Sequence, residues 1–324
     1  MDGKNPNRVT VTGTKVHGMS PKTYQEILKH RLDIPVDFAG TPEQARRLLS
    51  DSLVATGVSI SRSALDSAEK LRLFHCASAG IGHLPLEKIR EEGIVVTNAS
   101  GVHAPSVSEQ VVGWMLIFAR RLHEGWYRQQ QREWRHYQAT EINNSTATIV
   151  GLGNIGTAID ARLSNFNVDT IGVRYTPKKG GPTNEVIGFE TESFHEALSK
   201  TDYLILSSPL TETTQGLISD KAFEILPPSS VVINVGRGPI VDTDALVSAI
   251  KTNQIKGAAL DVTDPEPLPK EHDLWKFKNV LITPHMAGHT EHYWERTGDI
   301  LVSNINSIKK TGEYTDLDNQ VIPE

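Results

Sequence analysis

TATIVGLGNIG, residues 146–156, decides how this chain is read: an apolar strand runs directly into Gly151, Gly153 and Gly156 in GxGxxG spacing, and TAIDARL continues as a helix. Gly151 can make the tight turn, Gly153 lets the main chain approach a pyrophosphate because it has no Cβ, and Gly156 lets the helix lie close to the strand. Asn154 and Ile155 open that helix at the expected phosphate position, so its unpaired N–H groups and positive dipole end face the anion. A glycine triplet also fits an ordinary turn. Here, however, the next strand, DTIGVR at 169–174, ends about 20 residues after Gly151, where the side chain that reads a ribose belongs. A dinucleotide cofactor is therefore expected.

On both sides of this stretch, short apolar runs alternate with helical patterns. Before it come RVTVT (8–12), SLVATGV (52–58), LRLFHCA (71–77) and IVVT (94–97), the first three each followed by a helical segment. After it, strands are expected at 148–150, 169–173, 203–206, 231–235, 257–261 and 280–283, six in all. Such alternation predicts βα units and mostly parallel sheets. A long amphipathic helix at 107–121 separates the two sets, and a last helix at 293–310 is expected to fold back onto the first. Asp242 or Thr243 is the expected N-cap of ALVSAI.

At 324 residues the chain suits two domains rather than one core. Its 33 Lys and Arg against 39 Asp and Glu give a net charge of −6, with no long basic block to follow a phosphate backbone, so no nucleic-acid partner is expected. Neither an apolar leader nor a bilayer-length apolar run is present, so a cytoplasmic protein without membrane association is expected. The single cysteine, Cys76, lies in an apolar strand and reads as a core residue rather than a nucleophile. No metal is expected.

Ligands of open α/β sheets bind outside the carboxyl ends of the strands. Four chemically capable residues fall there: Arg237, Asp261, Glu266 and His285. Singly, each has an ordinary structural reading as a surface arginine, an N-cap, a loop carboxylate or a turn histidine. Together they offer a cation, two carboxylates and a histidine beside a nicotinamide. Hydride delivery to a keto carbon leaves charge on its oxygen, so the site needs a proton donor active near neutrality, and His285 suits that role. Glu266 at the far ring nitrogen would fix the tautomer and favour the imidazolium. Arg237 would hold a substrate carboxylate through two parallel N–H contacts.

At these residues the chain resembles the D-isomer-specific 2-hydroxyacid dehydrogenases over nearly its whole length. The resemblance is carried by GLGNIG at 151–156, SPLTETTQGLI at 208–218, INVGRGPIVD at 233–242, ALDVTDPEPLP at 259–269 and TPHMAGHT at 283–290. It implies an α/β chain of two Rossmann- or flavodoxin-like domains with parallel sheets and an interdomain cleft. Residues 1–108 plus 291–324 would bind substrate, and 109–290 would bind the dinucleotide. The family pattern makes Arg237, Glu266 and His285 the catalytic set and gives Asp261 the nicotinamide carboxamide. It adds Ser208, Pro209, Thr214, Val235, Gly236 and Gly288 to the cofactor site. Backbone amides of Ala79 and Gly80 would bind the substrate carboxylate along with Arg237 and His285.

Two departures stand out. The ribose-reading strand ends in Arg174, Tyr175 and Thr176 instead of an acid, followed by Lys178 and Lys179. That pattern suits the 2′-phosphate of NADPH over NADH, although an exposed basic turn that tolerates NAD is the alternative. SVSE at 106–109 replaces a usual alanine before the glutamate, a change expected to be harmless. The helix after Pro105 resembles the one through which relatives form homodimers. Trp126 and Trp134 beyond it either fill the dimer core or, for Trp134, reach towards the neighbouring subunit's site.

The expected activity is NADPH-dependent reduction of a small 2-keto acid, of the glyoxylate, hydroxypyruvate, pyruvate or phenylpyruvate class, to a D-2-hydroxy acid. Glu266 argues against formate oxidation, where the family motif carries glutamine. A nucleotide-sensing corepressor is disfavoured by the intact Arg237, Glu266 and His285 set. A glycerate or phosphoglycerate dehydrogenase stays open.

Overall fold

The computed structural model describes residues 5–13 and 15–323. The chain forms two compact units, Met1–Val102 with His289–Glu324, and His103–Gly288. The sequence reading sets these boundaries at 108/109 and 290/291. The first of those would cut a helix that the structure keeps whole within the second unit.

In the first unit, strands β1 (Val9–Thr12), β2 (Val36–Ala39), β3 (Val54–Gly57), β4 (Leu73–Cys76) and β5 (Val95–Asn98) alternate with helices α1 (Pro21–Arg31), α2 (Pro42–Leu49), α3 (Arg62–Leu65) and α4 (Leu86–Glu91). Three of these helices start on a serine or threonine whose hydroxyl accepts an amide of the first turn: Ser20, Thr41 and Ser61. The chain returns to this unit with α11 (Tyr293–Thr311) and β13 (Gln320–Ile322). The sheet order is β13-β5-β4-β3-β1-β2, parallel except for β13. Its first five strands in chain order follow the flavodoxin-like 2-1-3-4-5 arrangement. α11 packs on α1, with Trp294 stacked on Tyr24 at 4.6 Å and both rings buried. Cys76 is fully buried, and burial pushes its thiol pKa up, as suits a core residue.

The second unit opens with α5 (Ala104–Arg120) and α6 (Leu122–Gln130). It continues through β6 (Thr146–Val150), α7 (Asn154–Leu163), β7 (Asp169–Val173), β8 (Glu185–Ile187), α8 (Thr191–Ser199), β9 (Tyr203–Leu206), α9 (Asp220–Ile225), β10 (Val231–Asn234), α10 (Thr243–Lys251), β11 (Gly257–Leu260) and β12 (Val280–Ile282). The order β12-β11-β10-β9-β6-β7-β8 is all parallel and holds the Rossmann arrangement, with its switch point between β6 and β9. Seven strands form where six were expected. The addition, β8, is three residues flanked by glycines and polar residues, too short to carry a period of its own. α5 covers one face of the sheet through Val111, Trp114, Met115 and Phe118, and α8, α9 and α10 cover the other. Asp242 is the N-cap of α10 and accepts from the amides of Asp244 and Ala245, both at 3.0 Å. Among the described residues no helix is long and apolar enough to cross a membrane.

Candidate active site

Close main-chain approach explains two of the three glycines, with the segment after β9 at Gly151 and with the end of β6 at Gly156. Gly151 has φ +100°, and a Cβ there would lie 2.7 Å from the amide nitrogen of Ser208; a Cβ on Gly156 would collide with the Gly151 carbonyl oxygen. Gly153 differs, since its Cβ would meet nothing within 4 Å. It borders open space, and as N-cap of α7 it offers no side-chain acceptor to the first turn, the end of a helix that favours an anion.

That space is a pocket of 420 Å³ at the carboxyl ends of β6, β7 and β9. It gathers Gly151, Gly153, Arg174, Tyr175, Thr176, Ser208, Pro209 and Thr214 of the expected cofactor residues, and adds Lys179 and Phe189. Ser208 Oγ is buried in its wall without a hydrogen-bond partner among the described residues, which leaves its hydroxyl for a polar group in the pocket. Thr214 shapes the loop instead, its hydroxyl donating to the Pro209 carbonyl at 2.8 Å and accepting the Thr211 amide at 2.8 Å. Arg174 donates from Nη1 to the Gly180 carbonyl at 2.6 Å, bracing the basic turn that carries Lys179 into the pocket. Tyr175 is 82% exposed, with its ring open to a planar partner. The uncapped helix, orphaned hydroxyl and cationic rim fit a nicotinamide dinucleotide. Asn154, Ile155 and Gly156 form the first turn of α7. Val235, Gly236, Asp261 and Gly288 stand outside this pocket, farther along the sheet edge or in the loop after β12.

The acid–base residues stand on that farther edge. Asn234, Leu260 and Ile282 are aligned across β10, β11 and β12. Arg237 and His285 each follow their aligned residue by three positions, with Asp261 just past the end of the strand between, so Arg237 and His285 rise from strands about 10 Å apart. His285 Nδ1 lies 2.7 Å from Glu266 Oε1, the short spacing of a charge-assisted hydrogen bond. Both side chains are about half exposed, at 50% and 43%. A pair so exposed adds about 0–1 kcal/mol to stability, so folding alone does not account for it.

His285 is also a non-glycine residue in the left-handed region, with φ +51°. The strain, of order 1 kcal/mol, is held by Asp261. The Asp261 carbonyl accepts the His285 amide at 2.8 Å, while its buried carboxylate accepts the Thr283 hydroxyl at 2.5 Å and the Met286 and Ala287 amides at 2.9 and 3.0 Å. Asp261 thus fixes the loop that presents His285. Arg237 is exposed, and its turn is set by buried Asn234, which donates to the Arg237 carbonyl at 3.0 Å and accepts the Gly236 amide at 3.0 Å. Sequence reading missed Asn234 and Thr283; the available signal was a polar residue inside or just past an otherwise apolar strand.

In the first unit, Ala79 and Gly80 lie exposed in the loop after β4. Their N–H groups donate to no protein acceptor among the described residues.

Residues 112–287 match the family model for the NAD binding domain of D-isomer specific 2-hydroxyacid dehydrogenases. The chain is 33% identical over 304 residues to a glyoxylate reductase of Thermofilum pendens, covering 90% of this chain and 89% of that protein. It is 30% identical over 290 residues to a D-3-phosphoglycerate dehydrogenase of Methanocaldococcus jannaschii, covering 87% of this chain but 55% of that longer protein. The fold is shared with a D-isomer specific 2-hydroxyacid dehydrogenase from Lactobacillus delbrueckii ssp. bulgaricus in its NAD-complexed form, at TM-score 0.81, 21% identity and coverage of 97% and 99%. With the Rossmann strand order and the matched domain on the same residues, the chain belongs to the D-isomer specific 2-hydroxyacid dehydrogenases and is an NAD(P)-dependent oxidoreductase of that family.

Proposed function

We propose that this enzyme reduces a small 2-keto acid, of the glyoxylate, hydroxypyruvate, pyruvate or phenylpyruvate class, to the D-2-hydroxy acid with NADPH. The observation that carries this reading is the His285–Glu266 hydrogen bond on an exposed, strained turn. With Nδ1 donating to the Glu266 carboxylate, the imidazolium form carries its transferable proton on Nε2 and keeps the Nδ1–H when that proton has left. When bound, the reduced nicotinamide supplies the hydride for the keto carbon. His285 Nε2 then protonates the carbonyl oxygen, and Arg237 pairs with the substrate carboxylate through its planar fork. In the first unit, the Ala79 and Gly80 amides offer donors suited to a substrate carboxylate, which supports reading the first unit as the substrate-binding one and the second as the dinucleotide-binding one. Asp261, with one carboxylate oxygen accepting a single amide, retains acceptor capacity for the nicotinamide carboxamide.

NADPH is preferred in this reading because Arg174 and Lys179 both border the pocket and no carboxylate lies among its lining residues to receive a ribose diol. A homodimer is supported by Leu122, Trp126 and Trp134, which are 51%, 66% and 97% exposed within one short stretch, more apolar surface than a lone chain ordinarily leaves in water. A cytoplasmic location completes the proposal.

The test is a panel of 2-keto acids, including 3-phosphohydroxypyruvate, assayed with NADPH and NADH on wild type and Arg174→Ala. Chiral analysis of the product accompanies it. Loss of one charge-assisted contact is expected to weaken NADPH about tenfold or more relative to NADH. An unchanged NADPH/NADH ratio in the variant rejects the cofactor assignment, and no turnover of any keto acid rejects the function.

A further inference from the structure

In the loop after β4, three consecutive carbonyl groups are held. The Ser78 carbonyl accepts the Ala99 amide at 3.1 Å, the Ala79 carbonyl accepts Asn98 Nδ2 at 2.7 Å, and the Gly80 carbonyl accepts the Ser78 hydroxyl at 2.7 Å. In a planar trans peptide the C=O and N–H point in opposite directions. Gripping three consecutive carbonyls therefore turns three consecutive N–H groups, those of Ala79, Gly80 and Ile81, away from their braces. Among the described residues none of the three donates to a protein acceptor. Each braced carbonyl also polarises its own peptide and strengthens the N–H as a donor.

The first peptide is held by the main-chain amide of Ala99 and the last by Ser78 and, more weakly at 4.0 Å, by the Cys76 thiol, whereas the middle one is gripped by the carboxamide of Asn98 on β5. We propose that Asn98 is a positioning residue for substrate binding: by locking the Ala79–Gly80 peptide it aims the Gly80 N–H at the substrate carboxylate. The inference rests on the reading above that these amides take that carboxylate.

Asn98 is well placed to hold that peptide. It is 7% exposed, and both ends of its carboxamide are used, since Oδ1 accepts the Ser100 amide at 3.1 Å while Nδ2 holds Ala79. Its backbone is latched by Asn319 at the start of the C-terminal strand. The Asn98 amide donates to the Asn319 carbonyl at 3.1 Å, and Asn319 Nδ2 donates to the Asn98 and Ser100 carbonyls at 3.1 and 2.9 Å. Asn319 holds φ +56°, a conformation that asparagine and glycine tolerate. The returning chain thereby fixes the residue that fixes the loop.

Asn98→Asp keeps the shape and the acceptor for Ser100 but replaces the donor to Ala79 by an oxygen, which repels that carbonyl and releases the peptide. The probes are the best keto acid of the panel and oxamate, a carboxylate-bearing isostere of a 2-keto acid. KM and the oxamate Kd should rise about tenfold, with kcat within about threefold and the NADPH Kd unchanged. A purely structural role would lower Tm without this split between KM and kcat. In wild type labelled with ¹⁵N-glycine, the Gly80 amide resonance should move when oxamate is added to the NADPH-saturated enzyme.

If the Gly80 resonance stays put, the carboxylate reading fails and the inference falls with it. If it moves but Asn98→Asp binds oxamate like wild type, the role of Asn98 alone is rejected. Should Asn98→Asp not fold, Asn319→Gly keeps the left-handed backbone and removes the latch. That variant should raise KM about threefold, and an unchanged KM there overturns the proposal.

Discussion

His285 combines three properties that a structural histidine does not need: left-handed backbone, half exposure and a carboxylate 2.7 Å from Nδ1. His285→Ala should reduce keto-acid turnover by about 10² to 10⁴, the usual contribution of a positioned general acid. NADPH affinity should persist, because the pocket that gathers the cofactor residues does not include His285. Single-turnover kinetics with a parallel fluorescence titration of NADPH separate the two effects, and near-wild-type turnover would exclude His285 as the acid. Its type and place were legible in the sequence because they depend only on where an apolar run ends. Its bracing was not. Thr283, Met286 and Ala287 meet the Asp261 carboxylate from 22 to 26 positions along the chain, a contact set by the pairing of β11 with β12.

The strand–turn–helix element built by β6 and α7 sets local propensity against sterics. Alanine is favoured over glycine inside a helix by about 1 kcal/mol, yet at Gly156 the added methyl would enter the space of the Gly151 carbonyl oxygen. Overlap with main chain outweighs propensity, so Gly156→Ala should displace α7 from β6, weaken the cofactor at least about tenfold and lower Tm by several degrees. Gly153→Ala makes no clash within the protein. It should leave Tm nearly unchanged while still weakening the cofactor, since its methyl enters the space left for the phosphates. Calorimetry of both variants with and without NADPH distinguishes them, and equal Tm losses would show that the two glycines serve the same purpose. The triplet reads directly from sequence because its demands are local. By contrast, β2, β8 and β13 escaped notice because each is an edge strand whose short run holds a polar residue, Asp37, Glu185 or Gln320, and is stabilised by one neighbouring strand.

For the molecule as a whole, the pH dependence of stability is tied to His75, fully buried in β4 with Nδ1 2.9 Å from the Thr97 hydroxyl. Burial drives its pKa down from 6.5 to about 4, opposed by a hydrogen bond to the Thr297 backbone. Between those values the unfolded chain takes up a proton that the folded chain refuses. The associated stability is complete above pH 6.5 and is lost as pH falls towards 4, amounting to about 3 kcal/mol over the window. Urea unfolding at pH 7.5, 5.5 and 4.5 should show this decline, and His75→Gln should flatten it; an equal slope in the variant would assign the dependence elsewhere. The sequence by itself determined the α/β alternation, the phosphate-binding turn, the buried cysteine and the residue types at the strand ends, because periodicity, turn chemistry and spacing act over a few residues. Only the tertiary structure decided that Asn234, Asp261 and Asn98 hold the functional loops, that Arg174 braces the turn carrying Lys179, and that Trp126 and Trp134 stand in solvent in the single chain. Those assignments depend on hydrogen bonds and burial, many of them between residues far apart in the chain, and such partners become neighbours only once the strands have paired.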